Sequence, residues 1–202
     1  AQKPQVVIDA VPQAYAMEYA NVHRGLHSLS NLATEKYEAV RGTIARFLNA
    51  RSEDEIIMNS GTTEGINLIA ARERGGAVMG DGSQAAVHMP VDVQDLGCDF
   101  YAITGHKLYG PSGSGAHYVR EDRMAEIRPF IGGGDMIREV HKDQGIYNDP
   151  PMKFEAGTPG IVQQIGLGVA LDYMMSLGMD AIERHEETLR DYARTRLDGL
   201  IW

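Results

Sequence analysis

The sequence predicts an α/β domain with a mostly parallel central sheet and helices on both faces. Short apolar runs at residues 56–58, 77–79, 100–103 and 115–119 read as strands. Longer segments around them repeat their apolar residues at three- and four-residue spacing, the period of helices packed on one face. The first three runs also lead into clusters of glycine and polar residues. In sheets of alternating strands and helices, ligands sit beyond the carboxyl ends of the strands.

The elements follow in order. Residues 4–19 read as a helix, kinked at Pro12 or starting near it, because proline removes a backbone donor. Ser30 can cap the next helix, which carries Leu32, Ala33, Tyr37, Val40, Ile44, Phe47 and Leu48 as one stripe and ends near Asn49. The strand at 56–58 delivers the chain into Gly61-Thr62-Thr63-Glu64, which opens another helix, ended by Gly75-Gly76. The strand at 77–79 runs into Gly80-Asp81-Gly82, and that at 100–103 into Thr104-Gly105-His106-Lys107. Residues 130–157 are rich in loop signals, including Gly132-Gly133-Gly134 and Pro150-Pro151. Two helices close the chain, at 161–175 and 180–200, separated by Leu177-Gly178-Met179.

Composition narrows the function classes. The 202 residues are 43% hydrophobic and 23% charged, an ordinary globular balance. The net charge is −9 and the basic residues are scattered, so the concentrated positive field that a nucleic acid needs is missing. No run reaches the apolar length of a membrane span, and AQKPQVVIDA lacks the layout of a signal peptide. Cys98, the single cysteine, rules out an internal disulfide and fits a reducing, cytoplasmic setting. Placed before a strand in LGCDFY, it reads as a buried structural residue.

The polar clusters suggest a chemistry. Lys107 follows a buried strand in TGHKLYGPSG, and a lysine in an apolar cleft is available for a Schiff base. Asp81 stands at another strand end and can hold the proton on a pyridine nitrogen, as pyridoxal 5'-phosphate (PLP) requires. Gln84 can donate to the ring's phenolic oxygen. Thr62 and Thr63 at a helix start offer hydroxyls, N–H groups and the positive helix end to a phosphate, and Thr104 and His106 flank Lys107 as further donors. Singly, each has an ordinary explanation: a surface lysine, an Asp-Gly turn, a threonine-capped helix. The combination carries the reading, and no metal site is expected.

With these residues in view, the chain resembles the SufS-type cysteine desulfurases, class V aminotransferase-like enzymes of PLP fold type I. The stretches NVHRGLHSLSNLATEKYEAVR, NSGTTEGINL, DGSQAAVHMPVDVQDLGCDFYAITGHKLYGPSGSGA, GGGDMI and FEAGTPG carry the resemblance across nearly the whole chain. It implies that Lys107 bears the cofactor and later moves protons, that Asp81 pairs with the pyridinium and Gln84 with the phenolic oxygen. It implies that Thr62, Thr63, Thr104 and His106 hold the phosphate. Thr158, in FEAGTPG, would reach the phosphate of a partner subunit, hence a homodimer, and His27 would border the substrate. The implied activity converts L-cysteine to L-alanine with sulfur passed to an enzyme thiol, then to an acceptor protein for iron–sulfur cluster assembly.

The family pattern also exposes departures. Between Ala70 and Ala71 the family has a long segment that holds several strands, a histidine stacked on the cofactor ring and an asparagine near its phenolic oxygen. Without those strands the sheet is expected to show an apolar edge. The small domain beyond Trp202 would carry the persulfide-forming cysteine and the arginine that binds the substrate carboxylate. The expectation is a longer enzyme, with a genuinely shortened protein as the alternative. It divides into an N-terminal segment (1–29), an incomplete PLP-binding large domain (30–175) and a helix leading towards the small domain (176–202). Other readings are a selenocysteine lyase or related class V enzyme, and a catalytically silent scaffold.

Overall fold

The computed structural model of the chain describes residues 2–23, 25, 27–70, 76–142 and 145–198. Helix α1 (Gln5–Gln13) starts after Pro4 and runs through Pro12 before widening into a π turn over Ala14–Glu18. The irregularity that proline introduces is therefore taken up one turn later. Helix α2 (Ser28–Leu48) is capped by His27, whose Nδ1 accepts from the Ser30 N–H at 3.2 Å. Ser30, expected as the cap, is instead buried and donates its hydroxyl to the Asn21 carbonyl at 2.7 Å. The expected stripe is buried except for Leu32, which is exposed.

Strand β1 (Ile56–Asn59) leads into α3 (Thr62–Ala70), and β2 (Met79–Asp81) leads into α4 (Ala85–His88). Strands β3 (Phe100–Thr104) and β4 (Gly115–Val119) precede α5 (Glu121–Met124). The sheet order is β1-β4-β3-β2, with β2 parallel to β3 and β4 antiparallel to both of its neighbours. The expected mostly parallel sheet is thus a mixed one. The link from β3 to β4 is a tight glycine-rich turn, too short for the crossover that a parallel pair needs. Since β4 alone is reversed, β1, β2 and β3 still point the same way, and their carboxyl ends share one edge. That edge is where the polar clusters meet.

The two faces of the sheet pack separately. Ile56, Met58, Tyr101, Ile103, Ala116 and Tyr118 join Tyr37, Val40, Ile44 and Leu48 of α2 and Leu167 and Leu171 of α6 (Ile161–Leu177). Ile57, Phe100 and Val119 face the opposite way, onto Leu68 of α3 with Met124 and Ile127. Helices on both faces follow from this period-2 alternation. Cys98 is buried in the first cluster, as its position suggested.

Residues 130–157 are more ordered than expected. They contain an antiparallel pair, β5 (Ile137–Val140) with β6 (Gly145–Tyr147), and a 3-10 turn over Met152–Phe154. Glu155 then reaches back under the sheet: its carboxylate takes two hydrogen bonds from Arg41, at 2.7 and 3.0 Å, and one from the Met58 N–H at 2.6 Å. The last helix, α7 (Met179–Leu197), starts one residue earlier and stops sooner than expected. Both expected domain boundaries, after 29 and after 175, fall inside helices, and α1 packs on α6. The sheet edge at β2 is only three residues long and ends in Asp81, with exposed Val78 just before it. The junction at residues 71–75 lies outside the described residues.

Candidate active site

Two turns and one helix start build the site. After β1 the chain turns at Gly61, whose φ of +139° and whose contact with Thr104 (3.2 Å from a notional Cβ) both call for glycine. The turn presents Thr62 and Thr63 as the first residues of α3, where the leading N–H groups have no intrahelical acceptor. Glu64 folds back onto the Ser60 N–H at 2.8 Å and onto the Ser60 hydroxyl.

After β2, the Asp81 carboxylate accepts from the Ser83 N–H at 3.0 Å. The Ser83 hydroxyl meets that of Thr62 at 2.5 Å, joining the two turns. Hydrogen bonds from Ser83 hold the Asp81 carboxyl below the usual carboxylate range, and the charge of Lys107 adds to this. Asp81 is therefore ionised and already oriented. After β3, buried Thr104 contacts the His106 Nδ1 through its hydroxyl at 3.0 Å. Lys107 follows, half-buried.

These groups line one open cleft of about 420 Å³: Thr62, Thr63, Asp81, Thr104, His106 and Lys107, with Ser60, Gly61, Glu64, Ile66 and Ser83. Six residues singled out in the sequence thus converge. The cleft is more polar than the apolar setting expected around Lys107, since hydroxyls and carboxylates make up much of its wall.

Three expected residues stand elsewhere. Gln84 is exposed at the start of α4 and outside the cleft lining, because the Asp81–Ser83 turn points Ser83 inward in its place. Thr158 lines a neighbouring cleft of about 230 Å³ with His23, Tyr37, Asp135 and Glu155; Ser60 and Glu64 form the wall between the two. His27 caps α2 and lines neither cleft.

Ser83 was not singled out in the sequence, although it follows Asp81 at the spacing of an Asx turn, which was the available signal. Lys3 was missed as well. Its ammonium donates to the His106 carbonyl at 3.1 Å, a contact between residues far apart in sequence that no local pattern encodes.

The donor set fits PLP. An amine stands ready for an aldehyde, an ionised carboxylate for a pyridinium, and a helix N-terminus with hydroxyls for a phosphate. Among the described residues no group of three or more His, Cys, Asp or Glu side chains is placed to hold a metal ion.

Comparison with known proteins agrees with this geometry. The family model for aminotransferase class-V matches residues 1–74 and 70–200, its two pieces meeting where the sequence pattern is interrupted. A cysteine desulfurase of Escherichia coli (strain SE11) is 35% identical over 288 residues, covering 99% of this chain and 71% of the relative. That alignment is longer than the chain itself, so the relative carries residues that have no counterpart here. A cysteine desulfurase from Thermococcus onnurineus NA1, solved in its apo form, superposes with a TM-score of 0.92 at 28% identity. It is matched over 71% of its length by 98% of this chain. The cysteine desulfurase CsdA of Escherichia coli gives a TM-score of 0.85 at 27% identity, with the same coverage.

Proposed function

The chain belongs to the class-V aminotransferase family, and from that premise we propose that it binds PLP at Lys107 and serves a cysteine desulfurase. The observation that carries this reading is the single cleft holding Lys107, the ionised Asp81 and the N-terminus of α3. Bound PLP supplies an electron sink for the carbanion formed at the substrate Cα.

The residues of this chain divide the work. Lys107 would hold the cofactor through its amine, and when free its amine would take the proton from the substrate Cα. Asp81 keeps a proton on the ring nitrogen, and Ser83 keeps Asp81 aimed. The N–H groups at Thr62 and Thr63, with Thr104 and His106, hold the phosphate.

Sulfur transfer needs a thiolate. Cys98 does not provide it, because it is buried and burial pushes its thiol up. The thiol that receives sulfur is then one other than Cys98, the single cysteine of these 202 residues. We place Thr158 at a subunit contact of a homodimer, where it reaches the partner's phosphate, and His27 at the border of the substrate. The position of Thr158 outside the Lys107 cleft supports this. L-cysteine as substrate, delivery of sulfur to an acceptor protein for iron–sulfur assembly, and a cytoplasmic setting complete the proposal.

Adding PLP to the protein is expected to produce a visible absorbance band that Lys107→Ala abolishes. A protein that stays colourless with excess PLP rejects the reading.

A further inference from the structure

Behind the phosphate turn lies a buried polar contact that the proposed chemistry does not use. Asn59, the last residue of β1, accepts from the Gly61 N–H through Oδ1 at 2.9 Å. A backbone N–H can only donate, so this contact fixes which way the amide faces. The Asn59 Nδ2 is thereby turned to the His117 Nδ1, 2.7 Å away. An amide nitrogen also only donates, so Nδ1 is the bare ring nitrogen and Nε2 carries the hydrogen. His117 is fully buried on β4, and its Nε2 has no hydrogen-bond partner among the described residues.

A buried donor without a partner is a cost that an apolar side chain of similar volume would not incur. The surroundings nevertheless accommodate the imidazole. A Cβ at Gly65 of α3 would lie 1.5 Å from the His117 Cε1, so the helix can cover the ring only because residue 65 has no side chain. Gln164 of α6 pins the backbone on the other side, donating to the carbonyls of Asn59 at 2.8 Å and Gly115 at 3.1 Å. His117 also shares a cross-strand row with Ala102 and Asp81, so it stands on the same face of the sheet as the site. Desolvation keeps the ring neutral, as an acceptor at Nδ1 must be.

We infer that His117 is a positioning residue for the phosphate-binding turn, acting through Asn59 on the Gly61 N–H. With His117 in place the Asn59 amide has one orientation, and the turn Gly61-Thr62-Thr63 is held ready for an anion. Without that acceptor the Asn59 amide keeps only the Gly61 N–H as its partner, and the turn is held less firmly. This rests on the PLP reading above, and it makes the order of the phosphate turn, rather than that of the lysine or the aspartate, depend on His117.

The test compares PLP with pyridoxal, which lacks the phosphate, in equilibrium absorbance titrations of wild type, Asn59→Ala, His117→Leu and His117→Gln. The expected result is a loss of about tenfold in PLP affinity for Asn59→Ala and His117→Leu, with pyridoxal affinity unchanged. His117→Gln, whose amide oxygen can accept from Asn59, should recover most of the loss. Circular dichroism and urea midpoints identify any variant that fails to fold, and the inference is then judged on the others. Wild type that prefers PLP, beside folded variants that keep the full preference, overturns the inference alone. Wild type that binds neither compound overturns the proposed function and this inference with it.

Discussion

Thr62 and Ser83 meet hydroxyl to hydroxyl at 2.5 Å, and this contact ties the start of α3 to the turn that carries Asp81. Two strand ends that the chain visits far apart are thereby made one wall of the cleft. Ser83→Ala keeps the backbone donor to Asp81 but removes the hydroxyl bridge. It should weaken PLP binding by about fivefold, the equivalent of one ordinary hydrogen bond of ~1 kcal/mol. Absorbance titration of the variant measures this, and an unchanged affinity would show that the bridge does not organise the site.

His117 makes the fold sensitive to acid. Burial pushes its pKa down to about 4, from an ordinary value of 6.5 in the unfolded chain. Between those values the unfolded state binds a proton that the folded state refuses, so stability falls as pH drops from about 6.5 to about 4. Below that range this residue adds no further loss. Its contribution is at most about 3 kcal/mol. Urea unfolding at pH 7 and pH 4 should show a smaller decline for His117→Leu than for wild type; equal declines would contradict the assignment.

Gly65 and His117 occupy space that only one side chain can fill. Gly65→Ala forces the imidazole aside and should destabilise the fold by about 1 to 3 kcal/mol, the range of overpacked cores. The double variant Gly65→Ala/His117→Ala should be less destabilised than the sum of the single changes. Additive denaturation energies would argue that the two residues do not share that space.

Arg41 and Glu155 form a pair buried beneath β1, and the Arg41 guanidinium also donates to the Ile56 carbonyl at 2.7 Å. Burial pushes the Glu155 carboxyl up, while the guanidinium beside it pulls it back. Removing one partner strands the other, so Arg41→Met should cost about 3 to 5 kcal/mol in urea denaturation. A loss below about 1 kcal/mol would mean that the pair is poorly formed in solution.

Much of the site was legible in the sequence because its residues sit at strand ends, where an apolar run gives way to glycine and polar side chains. Lys107, Asp81, Thr62, Thr63, Thr104 and His106 were all found that way, and the cleft gathers them. The side chain that follows Asp81 inward was harder to read. Gln84 has the chemistry for a phenolic oxygen but stands outside the cleft lining, where Ser83 is found. Thr158 and His27 follow from the family resemblance, and neither is among the residues lining the Lys107 cleft.

The reversal of β4 is not written in its residues, because an apolar run has the same appearance in either orientation. Only the short Gly105–Ser114 turn betrays it. His117 lay inside that run as one polar letter. Its partners, Asn59 and Gly65, come from a strand end and a helix distant in sequence, so only the packed sheet brings them together.

The most direct test of the central claim is to reduce the PLP-treated protein with borohydride and map the modified peptide by mass spectrometry. The label should fall on Lys107 and on no other lysine. Label on Lys3, whose ammonium lies against the His106 carbonyl, or no label at all, would contradict it.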